Sequence, residues 1–78
     1  MCGDTNWRAV VGSNIRRFRK QRRYSQRTLA ALSGLDLRGF GVIERGEGNP
    51  SLDTLARIAS ALGVSPGALL DVGHHDAQ

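Results

Sequence analysis

The sequence predicts an all-α fold, a single domain of five short helices. Apolar residues recur every three or four positions between residues 7 and 70, the spacing that places them on one face of a helix. Serine, aspartate, glycine and proline residues interrupt this pattern where helices begin and end. No stretch shows the apolar and polar alternation of a half-buried strand, and no internal repeat is present. A chain of 78 residues has room for one small core.

The first predicted helix covers about residues 7–22 and is apolar on one side and basic on the other. The apolar stripe comprises Trp7, Val11, Ile15 and Phe18. The basic side comprises Arg16, Arg17, Lys20 and Arg23. Gly12 is a weak point in this helix, costing about 1 kcal/mol relative to alanine. Residues 1–5, which precede it, are expected to form a flexible N-terminus.

The second predicted helix covers about residues 26–33 and ends in a glycine turn. Ser25 is suited to cap it, and Leu29 and Leu32 give it one apolar face. Gly34 suits the left-handed backbone conformation that ends such a helix. The next helix therefore follows after a tight turn.

The third predicted helix covers about residues 37–45, with Asp36 as its cap. Phe40 and Ile43 lie three positions apart and are expected to point into the core. The residues left facing outward are Leu37, Arg38, Gly41, Val42 and Arg45. Two short helices joined by a tight turn form a helix-turn-helix, a unit that places its second helix in the major groove of DNA. The sequence therefore predicts a DNA-binding regulator.

The fourth predicted helix follows a turn-rich loop at residues 46–50. Ser51 is suited to cap it, it covers about residues 52–62, and Gly63 ends it. Its apolar stripe comprises Leu52, Leu55, Ile58, Ala59 and Leu62.

The fifth predicted helix is short and runs through Leu70. Ser65 and Pro66 open it as a cap and a first-turn proline. Residues 72–78 lack apolar periodicity and are expected to form a flexible tail, so the predicted domain covers residues 6–71.

The charge of the chain is unevenly distributed along its length. Residues 1–45 contain ten arginines and lysines against three acidic residues, a net charge of +7, whereas residues 46–78 have a net charge of −3. A basic front and an acidic rear suit a module that presents one face to DNA phosphates and keeps the other for protein contacts. The alternative is a basic face that serves only solubility.

Several classes of protein are disfavoured by the composition. Cys2 is the only cysteine, which rules out an internal disulfide and fits a reducing cytoplasm. The sequence contains no run of 18 apolar residues, so a membrane span is not predicted, and no secretory signal is visible. His74, His75 and Asp76 could serve as metal ligands or a catalytic pair, but they have no third ligand at suitable spacing and lie in the predicted tail. An enzyme is not expected.

Short motifs in a fixed order link the chain to a known family. They are IRRFR at 15–19, SQRTLA at 25–30, IERG at 43–46, NPSL at 49–52 and ALGV at 61–64. With Gly34, they resemble the phage-repressor class of helix-turn-helix proteins (the XRE or Cro/repressor family) over about residues 11–70. The resemblance implies a five-helix lambda-repressor-like DNA-binding domain that binds a near-palindromic operator as a homodimer, with no cofactor. The small size also resembles the controller proteins of restriction-modification systems.

The resemblance implies DNA contacts at the start of helices two and three. Gln26 lies where the family places a glutamine that contacts backbone phosphate and sometimes a base, although Gln26 could be only a surface residue. Ser25, beside it, is also expected to lie in the DNA-binding site. Arg38 is suited to read a guanine through a bidentate contact, with a phosphate contact or an idle surface arginine as the alternative. Leu37 and Val42 could contact thymine methyl groups. The alternative is that they are surface residues without a role in DNA binding.

The end of the third helix carries further expectations from the resemblance. Arg45 and Asn49 fit phosphate positioning. Arg19 is expected to pair with Glu44, tying helix one to helix three. Gly39 and Gly41 depart from the family pattern, and Gly41 removes one side chain that could read a base. Either the backbone approaches DNA closely there or operator shape contributes more to recognition, and the second is favoured.

A single module makes few DNA contacts, so pairing of two copies is expected. The predicted dimer surface comprises Leu62, Val64, Pro66, Leu69 and Leu70. Burial in the core explains several of these residues equally well. An alternative function is an antitoxin-type protein that binds and inhibits a toxin partner as well as DNA, as some proteins resembling this family do.

Overall fold

The chain folds as four α-helices and one 3₁₀ helix in a computed structural model that describes residues 5–73. The helices are α1 (Trp7–Gln21), α2 (Gln26–Leu32), α3 (Leu37–Glu44), α4 (Leu52–Leu62) and the 3₁₀ helix (Pro66–Leu70). Residues 5–73 contain no strand. The all-α prediction is therefore confirmed, and the fifth predicted helix is of the tighter 3₁₀ type.

Side-chain caps set where the helices begin, largely as the sequence indicates. Ser25, Asp36 and Ser51 each accept a hydrogen bond from the backbone N–H three positions later, at 3.0, 3.2 and 3.1 Å. Asn6 caps α1 in the same way. Ser65 makes no such bond, so Pro66 alone marks the start of the 3₁₀ helix.

The core forms where the apolar stripes of all five helices converge. α1 packs against α3 and the 3₁₀ helix, while α2 packs against both α3 and α4. The buried core residues are Val11, Ile15, Leu29, Ala30, Phe40, Leu55, Ile58, Ala59, Leu62 and Leu69. Phe18, Leu35 and Ile43 are partly buried against this cluster. The arrangement holds α3 at one side of the molecule with its outer surface uncovered.

Three residues assigned to apolar stripes are instead exposed. Trp7, Leu32 and Leu52 are 49%, 55% and 80% accessible. Each lies at the first or last position of its helix. The helix end lies at the margin of the core, so a residue with the correct spacing is left largely accessible to solvent there. This corrects the predicted stripes of α1, α2 and α4 at their ends.

Asn14 is a buried polar residue on the apolar side of α1, only 1% accessible. Its amide Nδ2 donates to the backbone carbonyls of Leu69 and Asp71 at 2.9 and 3.0 Å. Arg17 donates to the amide oxygen of Asn14 at 3.3 Å. The buried amide thus has partners at both ends and fixes the 3₁₀ helix against α1.

Gly12 allows α1 and α3 to cross closely. A Cβ at this position would lie 2.5 Å from the carbonyl oxygen of Glu44 and 2.9 Å from that of Ile43. These distances are too short for any real side chain. The helix crossing therefore requires a glycine here, despite the cost in helix propensity that the sequence indicates.

Candidate nucleic-acid interface

The turn between α2 and α3 fixes the angle between the two helices. Gly34 has a φ of 72°, the left-handed conformation that favours glycine. The N–H of Leu35 donates to the carbonyl of Ala30 at 2.9 Å, which closes the end of α2. Leu35 packs against the core, and Asp36 then caps α3. These features form the helix-turn-helix that the sequence predicts.

The outer side of α3 is open to solvent, and its inner side is anchored. Phe40 is fully buried and Glu44 is 4% accessible, so both face the core. Arg38 is exposed, Leu37 is 37% accessible and Val42 is half-buried. Arg38 therefore points away from the fold, as the sequence predicts.

Glu44 is a buried carboxylate at the meeting point of α1, α2 and α3. Its side chain has no accessible surface, and its Oε2 accepts from Nε of Arg19 at 2.8 Å. Its Oε1 accepts from the amide of Gln26. Arg16 lies further away, at 3.9 Å. The predicted pair of Arg19 and Glu44 is present, and a buried charge with this set of donors is well compensated.

The Gln26 side chain has a structural partner that the sequence did not indicate. Its amide donates inward to Glu44, and the residue is half-buried. The bond fixes the side chain at the start of α2, close to the exposed Ser25. The hydroxyl of Ser25 accepts the N–H of Thr28 as the helix cap. Ser25 and Gln26 are thus both held by hydrogen bonds at the start of α2.

Gly41 was predicted to be exposed on the outward side of α3, and this prediction is wrong. The residue is buried, and the atom nearest to the place of its missing Cβ is Nη1 of Arg45, at 3.3 Å. Arg45 donates from Nε to Oε1 of Glu47 at 3.2 Å. The Arg45 side chain therefore lies over Gly41, and it lines a cleft with Ser13 and Arg16 of α1.

A groove runs between the outer surface of α3 and the loop before α4. Its volume is about 350 Å³, and it is lined by Gly39, Val42, Asn49 and Pro50 among others. Asn49 is exposed at its rim. The predicted contact residues Val42 and Asn49 are thus brought together at this groove.

The predicted dimer surface is brought together only in part. Leu62 and Leu69 are 2% and 0% accessible and belong to the core of the single chain. Their assignment to a dimer surface is corrected, because a second copy could not reach them. Val64 is partly buried, whereas Pro66 and Leu70 are exposed.

Sequence reasoning missed two residues that shape this region. Asn14 was not singled out, although an asparagine three positions after Val11, within the apolar stripe of α1, is an available signal for a buried amide. Glu47 was also missed. Its signal is a pair of opposite charges two positions apart across a glycine turn, where Arg45 and Glu47 flank Gly46.

Among residues 5–73 there is no cluster of three or more histidine, cysteine or acidic residues suited to hold a metal. None of the helices described in this range has the length and apolar character needed to cross a membrane. Cys2 and the predicted tail residues His74, His75 and Asp76 lie outside the described residues.

Known proteins share this sequence pattern. The chain matches the family described as "HTH_3: Helix-turn-helix" over residues 15–69. It is 41% identical over 58 residues to the "Uncharacterized HTH-type transcriptional regulator y4dJ" of Sinorhizobium fredii, covering 74% of this chain and 75% of that protein. It is 40% identical over 61 residues to the "Immunity repressor protein" of Bacillus phage phi105, covering 78% of this chain and 42% of the repressor. The chain thus spans less than half of that repressor.

A solved structure has the same fold. The restriction-modification controller protein C.AhdI from Aeromonas hydrophila superposes with a TM-score of 0.77 at 40% sequence identity, covering 80% of this chain and 94% of that one. The helix-turn-helix geometry, the family match and these similarities agree. The chain therefore belongs to the helix-turn-helix family of the phage-repressor (XRE) type, and it is a transcriptional regulator with a helix-turn-helix DNA-binding domain.

Proposed function

We propose that this protein binds a near-palindromic DNA operator as a homodimer, with α3 in the major groove, and regulates transcription by occupying that operator. The observation that carries the proposal is the division of α3 into two sides. Phe40 and Glu44 anchor the inner side, while Arg38 is exposed on the outer side. A rigid helix with an exposed arginine is suited to enter a major groove and donate to a guanine.

Residues around α3 supply contacts to the DNA backbone in this proposal. Gln26 lies at the first position of α2 with its amide bound to Glu44, and Asn49 is exposed beside Val42 in the loop before α4. Contacts on both sides of a recognition helix fix its register without reading sequence. The excess of basic residues in the first half of the chain adds attraction to phosphates, so affinity falls steeply as salt rises.

A second copy doubles the contacts, and its surface is proposed at Val64, Pro66 and Leu70. These are the members of the predicted surface that the core does not bury completely. Two copies related by a two-fold axis would read half-sites about 34 Å apart, or a multiple of that distance. The operator would then be an inverted repeat. In this proposal the protein acts in the cytoplasm, catalyses no reaction and uses no cofactor.

The decisive experiment selects bound duplexes from a random pool at fixed salt, with wild type and with Arg38→Ala. We expect an inverted repeat for the wild type. Arg38→Ala should lose about 1–3 kcal/mol of binding free energy and relax the preference at one position in each half-site. Arg57→Ala, which removes an exposed arginine from α4, is the matched control and should keep the preference. A wild type that selects no motif, even at low salt, contradicts the proposal.

A further inference from the structure

We propose that Arg45 is a second base-reading residue, which donates to a guanine from the place of the side chain that Gly41 lacks, and that Glu47 orients it. The inference rests on the proposed function, because it assigns a further specificity contact to the same α3 surface. It replaces the two explanations for Gly41 that the sequence allowed, a close backbone approach or sparse readout.

The position of the Arg45 guanidinium is the first support. Side chains on a helix lean toward its N-terminus, so Arg45 covers the turn before its own Cα. Its Nη1 lies 3.3 Å from the place where a Cβ of Gly41 would be, one turn earlier in α3. The guanidinium therefore covers Gly41 beside the last turn of the helix, and its side chain remains exposed to solvent.

The register of the two arginines is the second support. Arg38 and Arg45 are seven residues apart, which is about two helical turns, so they leave the same side of α3. The Arg45 side chain extends back over Gly41, so its guanidinium lies beside the last turn of α3. Two guanidinium groups on one side of one helix are suited to contact two different base pairs in the major groove.

Glu47 is the third support, because it determines which donors remain. Its Oε1 accepts from Nε of Arg45 at 3.2 Å, which leaves the two Nη groups without a partner from Glu47. Guanine presents two acceptors, O6 and N7, that match such a pair of donors. Both side chains are exposed, at 53% and 62%, so the pair adds little stability and its role is to orient.

The charge of Glu47 favours a base edge over a phosphate as the ligand. If Arg45 bound a phosphate while paired to Glu47, the Glu47 carboxylate would lie close to the phosphate. The two negative charges would then repel each other. A guanine edge carries no net charge. The carboxylate can therefore keep its contact with Nε while the Nη groups donate into the groove.

The test repeats the selection from a random pool with Arg45→Ala, Arg45→Lys and Glu47→Gln. Arg45→Ala should lower the preference for guanine at one position by about 5- to 150-fold, and this position differs from the one that Arg38→Ala affects. Arg45→Lys keeps the charge but lacks the planar fork, so it should lose the same preference while retaining binding to random duplex. Glu47→Gln should weaken that preference and strengthen binding to random duplex.

Gly41→Leu provides an independent variant, since a leucine side chain takes the place of the guanidinium over α3. Leucine favours helix over glycine, so the thermal midpoint should be unchanged or raised, while the preference lost with Arg45→Ala is lost here too. Arg45→Lys keeps the test decisive if Gly41→Leu does not fold.

Two outcomes separate the inference from the function on which it rests. If wild type selects a motif but Arg45→Ala weakens all duplexes equally, or Arg45→Lys keeps the full preference, Arg45 is a phosphate contact and the inference is wrong. If wild type selects no motif, the proposed function itself fails.

Discussion

A single buried carboxylate, Glu44, joins the three helices that form the DNA-binding unit. It accepts from Arg19 on α1 and from Gln26 on α2 while it belongs to α3. The Arg19 side chain is only 13% accessible. Arg19 also donates to the carbonyl of Tyr24 at 3.0 Å, but a charge that is largely removed from water still needs an opposite charge beside it.

Glu44→Ala should lower the free energy of unfolding by about 3 kcal/mol, because it leaves Arg19 as an uncompensated charge in a nearly buried site. Urea denaturation measures the change. Glu47→Ala is the control, since it breaks the exposed pair with Arg45 and should cost less than about 1 kcal/mol. Equal stability of Glu44→Ala and wild type would rule out this role for the pair.

At the scale of the helices, the crossing of α1 over α3 depends on a missing side chain. The backbone of α3 approaches Gly12 so closely that a methyl group would overlap two carbonyl oxygens. The same crossing places Arg19 within reach of Glu44. Close backbone contact and the ion pair therefore depend on each other.

Gly12→Ala should destabilise the fold by about 1–3 kcal/mol, since overpacking separates the helices. This loss outweighs the gain in helix propensity, which is about 1 kcal/mol. Thermal unfolding followed by circular dichroism measures the difference. Gly67→Ala is the control, because a Cβ there meets no atom closer than the Ser65 hydroxyl at 3.9 Å. A Gly12→Ala protein as stable as wild type would show that the helices can separate freely.

Local signals predict the helices well because capping and periodicity act within a few residues. Ser25, Asp36 and Ser51 cap their helices as the sequence indicates, and Gly34 and Gly63 adopt left-handed conformations after α2 and α4. These features need no knowledge of the partner helix. The order and bounds of the helices were therefore predictable.

Contacts between distant segments were not predictable in the same way. Periodicity cannot show that the core ends before Leu52, or that Asn14 meets carbonyls 55 and 57 positions later. It also placed Gly41 in the open, since it does not indicate that the Arg45 side chain covers it. Of the proposed DNA-contact surface, the exposure of Arg38 followed from the helical register, and the placement of Arg45 did not.

At the scale of the whole molecule, the surface proposed for a second copy is smaller than the one predicted from the sequence. Two of its five predicted residues are used by the core of the single chain. Leu70 remains exposed at 38%, and it lines a small cleft with Trp7 and Pro50. The exposed side chains of Trp7 and Leu70 make this cleft apolar, and an exposed apolar surface is suited to contact another protein.

In the proposed dimer, Leu70→Glu would bury a charge at the interface, so this variant should sediment as a monomer of 8.4 kDa. Sedimentation equilibrium measures the mass, and the operator affinity should fall with it. Leu52→Glu is the control, because Leu52 is 80% accessible at the first position of α4 and is not part of the proposed interface. A Leu70→Glu protein that sediments as a dimer would place the interface elsewhere.

The division of α3 into an anchored side and an open side has a consequence for how such regulators diversify. The contacts that hold the helix in place come from Phe40, Glu44 and the Asp36 cap, and Arg38 is not among them. Exchanging outward side chains therefore costs the scaffold little. New operators become accessible to the same architecture by a few substitutions, whether selected in nature or introduced in the laboratory.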